Sequence, residues 1–189
     1  MKANQYKNQL RIIAGSWRGR KLPFAPVPGL RPTPDRVRET LFNWLGPVVR
    51  GAHCLDLFAG SGALGFEAAS RGAAGVMLVD NHAEVIASLR QQAGTLGAQQ
   101  VSIVQAECSR YLHGRSSPMD IVFIDPPYRE NLLPGCIDRL ESGDWLADEA
   151  WVYIESGKDS EPELPGNWEI YRSTSAGQVF CQLIRRCAV

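Results

Sequence analysis

Asp125-Pro126-Pro127-Tyr128 is the stretch of this chain best suited to chemistry. It directly follows Met119-Asp120-Ile121-Val122-Phe123-Ile124, an apolar run that predicts a fully buried strand. A carboxylate, two prolines and an aromatic ring at a strand's carboxyl end make a rigid shelf lined with hydrogen-bond acceptors. Such a shelf suits a flat group that bears an amino nitrogen. The exocyclic amine of a nucleobase is a poor nucleophile, because its lone pair is conjugated with the ring. Asp125 and the carbonyl of Pro126 could each accept one N–H, favouring a more tetrahedral nitrogen, and Tyr128 would stack on the base. The lone pair is then aimed at an electrophilic carbon, and most of the acceleration is positioning and electrostatics. Neither a metal nor a strong base is required. Taken alone, the tetrapeptide also fits an inert strand-exit turn.

Upstream, Leu55-Asp56-Leu57-Phe58-Ala59-Gly60-Ser61-Gly62-Ala63-Leu64-Gly65 reads as a strand, a glycine turn and a helix start. Asp80 lies twenty residues beyond Gly60, at the end of the next strand, where a carboxylate accepts hydrogen bonds from ribose hydroxyls. The pattern by itself fits NAD or FAD as readily as any other nucleoside cofactor. Asp56 separates these, since a carboxylate inside an apolar strand is costly to bury unpaired. It would repel a pyrophosphate and attract an ammonium and a sulfonium. S-adenosylmethionine carries both cations and no phosphate, so the expected cofactor contacts are Asp56, Phe58, Gly60, Ser61, Gly62, Asp80 and Asn81. Glu107, just after the third strand, falls where the adenine amino group would lie. It reads equally as a helix-start acid favoured by the macrodipole.

The elements that must position these groups alternate from residue 53 onward. Strands are expected at His53–Phe58, Gly75–Val79, Val101–Val104, Asp120–Ile124 and Trp151–Glu155. Helices are expected at Gly62–Arg71, near 130–141, and from a capping box at Asn81-His82-Ala83-Glu84 to Gly97. This alternation predicts an α/β fold, a Rossmann-like, doubly wound and mostly parallel sheet of seven strands. Trp168–Tyr171 and Gln178–Arg185 read as a hairpin closing it with an antiparallel edge. Before residue 53 the expectation is two short strands within 10–22, turning near Gly15-Ser16-Trp17. Five of the twelve prolines then fall between Pro23 and Pro34, so that stretch is extended. A helix follows from about 34 to 46, with Thr33 as its N-cap and Val37, Leu41, Trp44 and Leu45 on its buried face. Arg36 shares another face with Thr40 and Asn43, while Arg38 points elsewhere.

With 189 residues, 44% of them apolar, the chain fits one domain with a small appendage. No run approaches a membrane span, and Met1–Tyr6 lacks a signal-peptide core. Cys54, Cys108, Cys136, Cys181 and Cys187 are odd in number and never spaced C-x-x-C; they read as ordinary buried thiols in a reducing cytoplasm. Net charge is zero, yet residues 1–50 hold ten Lys/Arg against two acids, and residues 51–189 hold ten against eighteen. Such separation suggests that the basic part meets a polyanion, a solvated tail being the bland alternative. Ile12, Ile13, Trp17 and Leu22, interleaved with Arg11, Arg18, Arg20 and Lys21, indicate a folded segment instead.

The shelf and the glycine turn, in this order, resemble Rossmann-type methyltransferases that modify amino groups. The resemblance narrows with Arg11-Ile12-Ile13-Ala14-Gly15-Ser16-Trp17-Arg18-Gly19-Arg20-Lys21-Leu22, with Leu30 to Leu45, and with Gly143 to Ala150. Over nearly the whole chain the sequence resembles RsmD-type bacterial 16S ribosomal RNA guanine-N2 methyltransferases. The resemblance implies a small cytoplasmic monomer that uses S-adenosylmethionine, releases S-adenosylhomocysteine, and methylates one guanine of the small ribosomal subunit (guanine 966 in the family). It implies that Asp125, Pro126 and Tyr128 hold the guanine, and that residues 1–50 form an RNA-contacting extension to a methyltransferase domain over 51–189. Arg11, Arg18, Arg20, Lys21, Arg31 and Arg36 are the expected RNA contacts. The family commonly carries Phe where Tyr128 stands. Adenine-N6 methylation of DNA, methylation of a protein glutamine amide, and an inert RNA-binding module are the alternatives. The short chain counts against the first and the basic segment against the second.

Overall fold

A computed structural model of the chain describes residues 8–28, 30, 32–127, 131–157 and 161–187; Arg31 and Tyr128 lie outside the described residues. Its elements are β1 (Gln9–Arg11), β2 (Lys21–Pro23), α1 (Asp35–Trp44), β3 (His53–Asp56), α2 (Ala63–Ser70), β4 (Gly75–Asp80) and α3 (Ala83–Leu96). There follow β5 (Val101–Gln105), α4 (Cys108–Leu112), β6 (Met119–Ile124), α5 (Leu133–Ser142), β7 (Leu146–Gly157), β8 (Trp168–Ala176) and β9 (Val179–Arg186). Seven strands form one sheet in the order β5-β4-β3-β6-β7-β9-β8, and β1 and β2 pair separately as a small antiparallel sheet. Strands β3 to β7 run parallel; β9 and then β8 add the antiparallel edge. The expected fold class is the one formed.

The sheet is buried on both faces, which is why its central strands read as continuous apolar runs rather than alternating ones. Cys54, Phe123, Tyr153, Cys181 and Leu183 face α1, α2 and α3, and the same core takes in Leu10, Ile12 and Leu22 of the hairpin. Leu55, Val122, Ile124, Val152 and Ile154 face α4 and α5. Chain order reverses at β3, which has β4 on one side and β6 on the other. In open sheets of this kind, ligands bind outside the strand carboxyl ends at that reversal.

The hairpin strands are shorter than expected because the loop between them is pinned to α2. Ser16 N–H donates to the Ser70 carbonyl at 2.8 Å, Trp17 N–H to Ser70 Oγ at 3.0 Å, and Ser70 Oγ to the Ala14 carbonyl at 2.6 Å. Gly15 is required there: its φ is +81°, and a Cβ would sit 1.9 Å from the Ser70 carbonyl oxygen. Two expected caps do not form. Helix α1 starts at Asp35 with Pro34 preceding it, and Thr33 makes no capping bond. Helix α3 has His82 at its N-cap without a side-chain cap, so the box proposed for Asn81 and Glu84 is absent; the Asp80 carboxylate takes the His82 N–H instead, at 2.9 Å. The cysteines are free thiols, four buried and Cys187 partly so. Among the described residues no helix is long and apolar enough to cross a membrane.

Candidate active site

The carboxyl end of β3 carries Asp56, 2% exposed, which accepts from Gly65 N–H at 3.2 Å. That bond ties the strand end to the first turn of α2 across the glycine loop. Gly65 allows the approach, since a Cβ would come 2.1 Å from Leu78 Cδ2. Gly60 (φ +50°) and Gly62 (φ +80°) make the turn, with Ser61 buried between them. Asp80, at the end of β4, holds the loop by accepting from Gly60 N–H at 3.0 Å. Two backbone bonds leave its carboxylate with unused lone pairs. Phe58 is partly buried and Asn81 exposed beside this turn. Leu30 lies over the turn, its Cδ1 2.8 Å from where a Cβ on Gly60 would be.

On the neighbouring strand, β6 delivers Asp125 two residues past Phe123, the register partner of Asp56. Asp125 is partly buried, and among the described residues it has no ion pair or side-chain hydrogen bond. Pro126 is buried and Pro127 exposed. A cleft of about 440 Å³ opens beside them, lined by Pro126, Pro127, Leu133, Ser156, Gly157 and Glu161 among others. The next strand, β7, carries an unforeseen carboxylate one residue past the end of its parallel pairing with β6. Glu155 is 3% exposed and accepts from Tyr153 OH at 2.9 Å and from the Thr33 hydroxyl. The available signal was the one used for Asp56, an acid terminating an apolar strand.

These acids raise one another. Burial pushes Asp56 up to about 7, against the N–H groups of Gly65 and Phe58, and the Asp80 and Glu155 charges add to it. Asp125 lies well above the usual carboxylate range through burial first, then Glu155 and Asp56. Glu155 is raised by burial, opposed by its two hydroxyl donors. Among the described residues none of the three has a cationic partner. The arrangement is a well of negative potential at the chain reversal, able to hold a cation and to accept N–H groups.

Other expected residues have partners of their own, and Glu107 follows by two residues Gln105, the register partner of Asp80. Glu107 caps α4, accepting from Ser109 N–H and Arg110 N–H at 3.1 Å each, and its carboxyl is lowered chiefly by the Ser109 hydroxyl. It thus fills the helix-start role. Arg11 pairs with Asp35 at 3.0 Å, and Arg20 donates to the Thr95 carbonyl at 3.1 Å. Arg18, Lys21 and Arg36 are exposed. Arg38 is the unforeseen one: it is fully buried, donating to the Thr33 and Arg11 carbonyls and to Asp35, with Glu67 3.5 Å away.

A sheet of this order, with a glycine turn after β3 and an acid-proline-proline shelf after β6, defines a Rossmann-like methyltransferase. Comparison with known proteins narrows the class. The family model described as "Conserved hypothetical protein 95" matches residues 10–185. Ribosomal RNA small subunit methyltransferase D of Escherichia coli K12 is 51% identical over 179 residues, 94% of this chain and 90% of the relative. The protein of the same name from Haemophilus influenzae is 42% identical over 181 residues, 94% of each chain. A solved structure titled as a putative methyltransferase from Escherichia coli superposes with a TM-score of 0.89 at 51% identity, covering 96% of this chain and all of that one. The chain belongs to the RsmD-type methyltransferase family.

Proposed function

We propose that this protein methylates ribosomal RNA of the small subunit, at the exocyclic N2 of one guanine, with S-adenosylmethionine as donor. The observation that carries the reading is Asp125. It is a carboxylate without an ion pair among the described residues, set beside the acid that ends β3. The two relatives' names supply the RNA.

The residues present fit that cofactor. The buried acids lack a counter-charge, and S-adenosylmethionine brings an ammonium and a sulfonium without a phosphate. Asp56 and Asp80, with the Gly60–Gly62 backbone, would hold it. When bound, it supplies an electrophilic methyl group on sulfur. The chain does the rest. Asp125 and the Pro126 carbonyl accept the two N–H groups of the guanine N2 and aim its lone pair. Asp125 then balances the positive charge that grows on that nitrogen, and the proton leaves readily without a strong base. Tyr128 stacks on the base, which has to turn out of its own stack to reach the shelf. Residues 1–50, through Arg11, Arg18, Arg20, Lys21, Arg31 and Arg36, contact phosphates, and the protein acts as a cytoplasmic monomer.

The test is incubation with labelled cofactor of deproteinised small-subunit RNA and of assembled subunits, both from cells lacking this protein. Label on a guanine N2 is expected in at least one substrate. Its absence from both would refute the proposal, and label on adenine N6 of duplex DNA would replace it with the DNA reading.

A further inference from the structure

We propose that Glu155 sets the charge selectivity of the site, favouring the sulfonium cofactor over its neutral-sulfur product. The inference rests on the cofactor reading above and adds a residue and a purpose to it.

Three carboxylates lie at the carboxyl end of the parallel pairing of three adjacent strands. Asp56 on β3 is in register with Phe123 on β6, and Phe123 with Tyr153 on β7. Asp125 and Glu155 each lie two residues further on, so alternation places both on the face of Asp56. The groups around Glu155 are Tyr153 on its own strand, Cys181 on β9, Asp125 and Asp56 on the other side, and Thr33 from the segment leading into α1. Its hydrogen-bond donor, Tyr153 OH, is a neutral hydroxyl, and among the described residues no cation pairs with it. Arg38, which donates to the Thr33 carbonyl at 3.2 Å, is directed at Glu67 and Asp35.

An uncancelled charge in a water-poor site acts over several ångströms. S-adenosylmethionine and S-adenosylhomocysteine share adenosine, carboxylate and ammonium, and differ by one methyl and one positive charge. A packing contact stabilises both ligands alike. A carboxylate at these strand ends adds to the binding of the ligand with the extra sulfonium charge more than to that of the neutral-sulfur product, so it strengthens substrate binding and lets the product leave.

The experiment measures equilibrium affinities of S-adenosylmethionine and S-adenosylhomocysteine for wild type, Glu155→Gln and Glu155→Asp, with thermal melting as the check on folding. Glu155→Gln is expected to shift the affinity ratio toward the homocysteine product on the order of tenfold. Glu155→Asp keeps the charge and is expected to keep the wild-type ratio, even where both affinities fall. Equal weakening of both ligands by Glu155→Gln overturns the inference and leaves the cofactor reading intact. Should that variant not fold, Glu155→Met is read in its place, and equal weakening of both ligands by it overturns the inference in the same way. If wild type binds neither ligand, the cofactor reading falls and this inference with it.

Discussion

Glu67 and Glu155 are both buried glutamates on the face that carries α1 and α2, and they have opposite surroundings. Glu67, fully buried in α2, accepts from Ile13 N–H at 2.8 Å and Ala14 N–H at 3.0 Å, pairs with Arg71 at 2.7 Å, and lies 3.5 Å from Arg38. Every partner of that charge is supplied by the chain, and the result is attachment of the basic hairpin to the helix behind the glycine loop. Glu155 and its neighbours Asp56 and Asp125 have N–H or hydroxyl donors at most, with no cation among the described residues. An acid balanced by its own protein is structure, whereas a cluster left unbalanced at the chain reversal marks where a cationic ligand belongs.

The comparison can be broken by substitutions on either side. Glu67→Ala leaves two backbone N–H groups and Arg71 unmatched and removes the carboxylate beside buried Arg38, and is expected to cost about 3–5 kcal/mol of stability. Denaturant unfolding measures it, and a loss under about 1 kcal/mol would mean the network is not holding the hairpin. Gly15→Ala forces a methyl against the Ser70 carbonyl at a positive φ, with an expected cost of about 1–3 kcal/mol. Its RNA affinity should fall as well, because the hairpin can no longer seat on α2. A filter-binding titration beside a melting curve separates those two effects.

The acid well makes a prediction about pH. Asp56 sits at about 7 in the fold against roughly 3.9 in an unfolded chain, so the folded state binds its proton more tightly. Its contribution to stability is complete below about pH 4 and is lost as pH rises through about 7. The ligand-free protein is therefore expected to melt at a higher temperature near pH 5.5 than near pH 8, and Asp56→Asn should flatten that slope. A slope unaffected by Asp56→Asn would show that the site is already neutralised. The smallest effect belongs to the exposed cations. Arg18→Ala is expected to weaken RNA binding modestly and to reduce the salt slope by about 0.7–0.9, one phosphate contact. An unchanged slope would put Arg18 in solvent.

The parts of the site that the sequence disclosed are those whose signals are local. The strand ends, the glycine turn and the Asp125 shelf each sit within a few residues of the pattern that betrays them. Glu155 carried the strand-end signal of Asp56 but no glycine turn beside it, and so went unmarked. The Arg38–Glu67 pair joins α1 to α2, and nothing near Arg38 shows where its guanidinium goes. The caps depend on the entry geometry of the chain: α1 begins after Pro34 and α3 after His82, whose N–H is held by the Asp80 carboxylate two residues back. Strand β7 begins earlier than its apolar run because Leu146 pairs with Met119 and Ala150 with Arg186.

The most direct trial of the account is Asp125→Ala, followed in parallel by cofactor titration and by single-turnover methyl transfer to small-subunit RNA. The expected result is a rate lower by roughly 10²–10³ with cofactor affinity within a few-fold of wild type. A variant that transfers methyl groups at the wild-type rate would contradict the assignment of Asp125 to the reacting nitrogen.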